Sequence, residues 1–276
     1  MLKDITLGQF YPAESKIHAL DPRVKLVGTL LYVVSLFLFH NLAGFLLATA
    51  FLFFLIHMSK VPVSYILRGL KAIFILMVIT AIFNVLFTPG TTIAHVWKIR
   101  ITWEGVRAAV FMFIRLTYLV MGTSLMTLTT TPTRLTDGME SLMAPLEKIH
   151  APVHEVAMMM SIALRFIPLL VDETDKIMKA QMARGADFES GNFWRRAKSM
   201  VPILVPLFVS AFRRAGDLAL AMEARCYQGG EGRTKMKPLV YGRNDGKAYA
   251  VLWIYFAAMI LVRIFLNLPH VPLLGH

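Results

Sequence analysis

Between Leu26 and Ser59 the chain has no Asp, Glu, Lys or Arg, a run of 34 positions dominated by Leu, Phe, Val and Ala. One bilayer crossing takes about 20 apolar residues, so a run of this length predicts two closely spaced spans broken near His40-Asn41. Backbone groups inside lipid must find partners within their own segment, which makes both spans helices. A second uncharged run, 72–97, predicts a third span ending near Phe87, after which Pro89-Gly90 turns the chain. A fourth is expected from about Glu104 to Leu128, with Arg107 near one end and Arg115 further in, and a fifth from Ala248 through Val262 and past Arg263 to Leu268. Composition agrees: 57% of the residues are hydrophobic, well above the roughly 45–50% of soluble domains.

The formal charge of +12 raises nucleic acid as a partner, but the basic residues are spread as a membrane protein spreads them, on the cytoplasmic side of its spans. Residues 1–25 carry Lys3, Lys16, Arg23 and Lys25 without the short apolar core and cleavage site of a signal peptide, and read as a cytoplasmic amphipathic lead-in. Lys60, Arg68 and Lys71 mark the next return to that side. Residues 130–246 then hold 16 of the 29 basic and 13 of the 17 acidic residues, and are expected in the cytoplasm. The expected fold is therefore all-α: a polytopic membrane protein of about five transmembrane helices plus a cytoplasmic helical domain. Its divisions are 1–129 for the lead-in and first four spans, 130–246 for the cytoplasmic block and 247–276 for the last span. The N-terminus is expected inside and the C-terminus outside.

Inside the block, Thr131-Pro132 is a helix start, because Pro at the first helical position gives up a hydrogen bond that would not be made. Helices are predicted over about 133–148, 155–183 and 194–225, with a loop around Asp187-Phe188-Glu189-Ser190-Gly191. The apolar patches 156–164 and 199–212 are shorter than a span and are flanked or interrupted by Arg165, Pro168, Arg213 and Arg214. They are expected to be helix faces at the membrane domain or its interface. The two long helices end on similar tripeptides, Ala183-Arg184-Gly185 and Ala224-Arg225-Cys226. Gly185 and Gly229-Gly230 stand where a helix needs left-handed backbone angles to stop. An Arg near a helix end is also favoured by the helix dipole alone; the pairing is what points to a partner with two similar pockets. Met158-Met159-Met160 lie in a Met-rich region, and Met suits contact surfaces that re-pack.

Other motifs argue against chemistry in this chain. Gly242-Arg243-Asn244-Asp245-Gly246-Lys247-Ala248 is one residue short of a phosphate-binding loop and lacks its Ser or Thr. His150 and His154 have Pro152 between them and no third metal ligand nearby. No Ser sits in a nucleophile turn, which disfavours a membrane-embedded hydrolase. The uncharged runs hold no carboxylate for a coupling ion, which disfavours a self-contained transporter or channel, the main alternative reading. Arg115 reads as structural, at a helix contact or re-entrant turn. The single cysteine, Cys226, excludes an internal disulfide.

At Leu20-Asp21-Pro22-Arg23-Val24-Lys25, Arg165-Phe166-Ile167-Pro168 with Asp172-Glu173, Gln181-Met182-Ala183-Arg184-Gly185 and Glu223-Ala224-Arg225-Cys226, the sequence resembles the transmembrane T component of energy-coupling factor transporters. The likeness covers nearly the whole chain, and it departs from the paired Ala-Arg-Gly pattern at Cys226. The resemblance implies a non-catalytic coupling scaffold in a bacterial or archaeal cell membrane, serving an importer of a vitamin or transition metal ion. Its partners would be two ATP-binding cassette ATPases, a separate substrate-binding S component and membrane lipid, with no nucleic acid. ATP and magnesium would sit on the ATPases and no cofactor on this chain. Ala183, Arg184, Gly185, Ala224, Arg225 and Cys226 would dock the ATPases, and Met158, Met159, Met160, Ile167 and Leu170 would touch the S component.

Overall fold

The computed structural model describes residues 10–39, 41–96, 99–188, 192–230, 236 and 238–266. Lys3 of the lead-in, Glu189-Ser190-Gly191 of the expected loop and the end of the last span at Leu268 lie outside the described residues. Among the described residues the regular elements are helices and one short hairpin, and the chain divides into two compact units.

The first unit comprises Gly8–Met139 together with the segment from Leu239 onward. It contains α1 (Pro22–Phe37), α2 (Leu42–Ser59), α3 (Val63–Phe87), the hairpin β1 (Thr92–Val96) and β2 (Ile99–Thr102), and α4 (Trp103–Thr129). Most of α5 (Pro132–Met143) and all of α8 (Arg243–Leu266) complete it. The break expected near His40-Asn41 falls between α1 and α2, as the uncharged run required. α1 packs on α4 and α8, α2 on the same two helices, and α3 on α4. Tyr32, Leu36, Phe45, Phe51, Tyr255 and Met259 form the main core; the rings of Phe51 and Tyr255 stack with centroids 3.9 Å apart. Small residues set the helix spacing. A Cβ on Gly122 of α4 would lie 2.5 Å from the Tyr32 ring, and one on Gly28 of α1 2.9 Å from the Leu252 side chain.

The hairpin occupies the turn expected after Pro89-Gly90, with Thr92 opposite Thr102 and Val96 opposite Ile99. Thr102 then starts α4: its hydroxyl accepts from the Gly105 amide at 3.1 Å and donates to the Thr88 carbonyl at 2.8 Å. Arg115, deep in α4, donates to the Phe39 carbonyl at 3.0 Å, just beyond the end of α1. It thus ties α4 to the break between α1 and α2.

The second unit spans Glu140–Pro238 and contains α6 (Val153–Ala183) and α7 (Phe193–Glu223). The single helix expected over 133–148 is instead two pieces: α5 stops at Met143, and a 3-10 turn follows over Ala144–Ile149. Pro145 is the reason, since it has no amide to donate and crowds the preceding turn. His150, at φ 62°, closes that turn.

Among the described residues, α2, α4, α6 and α8 are long and apolar enough to cross a membrane. The two parts of α3, Val63–Lys71 and Ile73–Phe87, meet at a 60° bend and make up to five if they form one span. This is a polytopic all-α membrane protein. Two elements depart from the sequence-based list. α1 has 16 residues, below the usual length of a crossing. α6 runs unbroken through Pro168, so the patch 156–164 is part of a 31-residue helix that meets the length and composition of a span.

Candidate functional site: two matched helix ends

The two tripeptides fold alike. At the end of α6 the Arg184 amide donates to the Gln181 carbonyl, that of Gly185 to Met182 at 2.9 Å, and that of Ala186 back to Gln181 at 3.0 Å. At the end of α7 the Arg225 amide donates to Met222, that of Cys226 to Glu223 at 2.9 Å, and that of Tyr227 back to Met222 at 3.0 Å. Every partner is displaced by 41 positions, the separation of Arg184 and Arg225. These are two Schellman closures, each with Arg just past the end of its helix and a left-handed residue after it. Gly185 takes φ +87° and Cys226 φ 55°. Cys226 therefore does the backbone work of the missing glycine. The expected stop at Gly229-Gly230 is corrected: α7 has already closed three residues earlier, although Gly229 is itself left-handed at φ +96°.

The closures have a chemical consequence. Backbone amides already bond the terminal carbonyls, so neither guanidinium is needed as a cap. Ala183, Arg184, Gly185, Ala224, Arg225 and Cys226 are all exposed, and space is open around Gly185. Each end thus offers a planar five-donor cation beside a small residue, a shape suited to an acceptor in a groove. The helices that carry the ends are packed together, and Glu173 of α6 bridges them. It accepts from Ser210 at 2.5 Å and from Arg214 of α7 at 2.9 Å.

The Met-rich candidates lie near the start of α6. Met159, Met160 and Ile167 are exposed, Met159 by 57%, while Met158 and Leu170 are half-buried. On α7 the patch 199–212 exposes Val201, Leu204, Val205, Phe208 and Phe212, with Phe212 75% exposed, and Met200 and Val209 flank them. The spacing of the first five, three and four residues, is the signature of one helix face.

The Asp21-Pro22-Arg23-Val24-Lys25 stretch is a clasp within the first unit. The Asp21 carboxylate caps α1 through the Arg23 amide at 2.9 Å and takes two bonds from the Arg23 guanidinium at 3.0 and 2.9 Å. That guanidinium also reaches the Leu239 carbonyl at 3.1 Å and lies 3.7 Å from the centroid of the Tyr241 ring. Burial raises the Asp21 carboxyl, but the Arg23 bonds outweigh it and hold the group below its ordinary range. The Lys25 ammonium donates to the carbonyls of His18 at 3.2 Å and Thr129 at 2.9 Å, and burial pulls it down to about 8.

A family model described as cobalt transport protein (CbiQ) matches residues 13–236. The energy-coupling factor transporter transmembrane protein EcfT of Clostridium kluyveri is 54% identical over 266 residues, which cover 96% of this chain and 98% of that one. The chain belongs to the EcfT family. The protein of the same name from Heliobacterium modesticaldum is 53% identical over 262 residues, 95% of this chain and 97% of that one. The one from Bacillus subtilis is 46% identical over 264 residues, 95% and 100%. The resemblance carried by the arginine motifs thus extends over nearly the full length, and the chain is a multi-pass transmembrane component of an energy-coupling factor transporter.

Two other motifs of this EcfT-family chain find structural uses. His154 meets Glu140 at 3.2 Å, and its ring packs over Gly230, where a Cβ would lie 2.6 Å away. The near phosphate-loop at 242–248 is a helix start: the buried Asp245 carboxylate accepts from the Gly242 amide at 2.7 Å and from the Asp21 amide at 2.9 Å. The sequence reading missed this role of Asp245. An acidic residue in the first turn of a helix after Gly242 was the available signal.

Proposed function

We propose that this chain is the coupling scaffold of an importer for a vitamin or transition metal ion. It passes the motion of two ATP-binding cassette ATPases to a separate substrate-binding membrane S component. The observation that carries the reading is the pair of helix ends closed by the same hydrogen bonds, each presenting an exposed arginine beside a small residue. Two like ends suit two like grooves. Arg184 and Arg225 each enter one ATPase, where the guanidinium forms paired bonds with an acceptor and keeps its charge throughout the ATP cycle. Ala183 and Ala224 leave room for the partner's backbone. ATP and magnesium belong to the ATPases; the chain itself is non-catalytic and binds no cofactor. Met158, Met159, Met160, Ile167 and Leu170 contact the S component. In this reading α1 to α4 and α8 cross the membrane and α6 lies at its interface, so the N-terminus and residues 130–246 face the cytoplasm of a bacterial or archaeal cell and the C-terminus faces outside.

The test is co-purification of the ATPases with the tagged chain, together with substrate uptake. Each docking bond to a charged group is worth roughly 1.5–3 kcal/mol. Arg184→Ala or Arg225→Ala alone impairs uptake more than assembly, because the second contact holds the partners at high effective concentration. The double substitution releases the ATPases. A double variant that keeps them and transports normally would reduce both arginines to helix-end electrostatics.

A further inference from the structure

Within the first unit, α1, α2, α4 and α8 enclose a cavity of about 360 Å³. Each helix contributes a stretch of about eight residues, Val24 to Tyr32, Phe51 to Met58, Gly122 to Thr129 and Asn244 to Leu252, so the space runs about 12 Å along the helix axes. Its inner walls are apolar: Tyr32, Phe51, Leu125, Val251 and Leu252. Its other end is cationic and polar, with Lys16, Lys25, Lys247, Asn244 and Thr129. A second recess shares Lys16, Met58, Thr129 and Asn244 with it and adds Lys60 and Arg134, against one carboxylate, Glu14. Lys25 stands where the two characters meet. It is 9% exposed, its ammonium donates to two carbonyls, and it forms no ion pair among the described residues. The buried carboxylates of Asp21 and Asp245 attract it only from beyond ion-pair distance, so its desolvation is incompletely offset, and an anion at the cavity mouth adds to that attraction.

The space is narrow, long and greasy at one end and basic at the other. Its volume equals about twelve water-sized units of ~30 Å³, room for a length of hydrocarbon chain. Free phosphate would leave the apolar end empty, and a neutral amphiphile would leave the basic end unpaired. We propose that this cavity takes an acyl chain of an anionic phospholipid from the surrounding bilayer, with the lipid phosphate held at the mouth by Lys16 and Lys247.

The test uses the full chain, purified in mild neutral detergent and followed by native mass spectrometry as phosphatidylglycerol, phosphatidylcholine or oleate is added. Wild type should retain one phosphatidylglycerol about tenfold more tightly than phosphatidylcholine, in line with the pull of a few surface lysines on an anionic lipid. Ala248→Phe, which places a ring in the cavity wall, should lose that tight copy. The Lys16→Gln/Lys247→Gln pair, on exposed side chains, should bring phosphatidylglycerol down to the level of phosphatidylcholine. Equal retention of the two lipids by wild type overturns the proposal. So does undiminished phosphatidylglycerol binding by the lysine pair, or by a folded Ala248→Phe chain. Preferential retention of oleate overturns the assignment to a phospholipid.

Discussion

Gly185 and Cys226 occupy the same backbone position with unequal ease, because a side chain in the left-handed region crowds the following carbonyl at a cost of roughly 1–2 kcal/mol. Cys226→Gly should therefore raise the stability of the α7 end by about 1 kcal/mol, and Gly185→Val should lower that of the α6 end by more. Hydrogen exchange at the amides of Ala186 and Tyr227 reads both changes; slower exchange in Gly185→Val would refute the closure. Lys25 makes a prediction about pH. Its folded-state value of about 8 lies below the ordinary 10.5, chiefly through burial, with Arg134 pushing the same way and Asp21 and Asp245 opposing. Between those values the unfolded chain holds the proton that the folded chain has released, so stability rises with pH across this window. Melting in neutral detergent should show the rise from about pH 8 upward, and Lys25→Met should flatten it.

Among elements, the start of α8 is tied to the start of α1 through Asp245 and Asp21, and both depend on buried carboxylates, Asp245 being 5% exposed. Asp245→Ala removes an acceptor for two amides and leaves the Asp21 amide buried without a partner. The expected loss is about 1–3 kcal/mol, visible as a lower melting midpoint of the purified chain. A midpoint unchanged from wild type would mean that the clasp contributes nothing. The long helices of the second unit are joined differently, by the partly exposed Glu173–Arg214 pair, where solvent screening keeps the contribution small.

For the whole molecule, the single cysteine is a built-in reporter. Cys226 is exposed and sits in one of the two proposed docking ends. If residues 130–246 face the cytoplasm, a membrane-impermeant maleimide should label Cys226 only after the cells are opened, and bound ATPases should protect it. Cysteines introduced at 90–96, in a Cys226→Ala background, should be labelled on intact cells. Labelling of Cys226 from outside would overturn both the topology and the docking assignment.

The membrane class, the helical fold and the paired arginines were legible in the sequence because each rests on a property of local residue types. The cost of placing a charge in lipid is paid residue by residue, so the uncharged runs 26–59 and 72–97 announced themselves, as did the charge-rich block 130–246. Two similar helix ends 41 residues apart could likewise be seen by spacing. Tertiary structure alone decided what depends on pairs of distant groups. Asp21 and Asp245 meet across 224 positions. Arg115 finds the Phe39 carbonyl, and Gly122 makes room for Tyr32. Cys226 bends into the left-handed region because the α7 carbonyls of Met222 and Glu223 need amide donors, a demand that its own side chain gives no sign of meeting. A transfer free energy belongs to a residue, whereas a hydrogen bond or a close approach belongs to two, and the second partner is fixed only when the chain has folded.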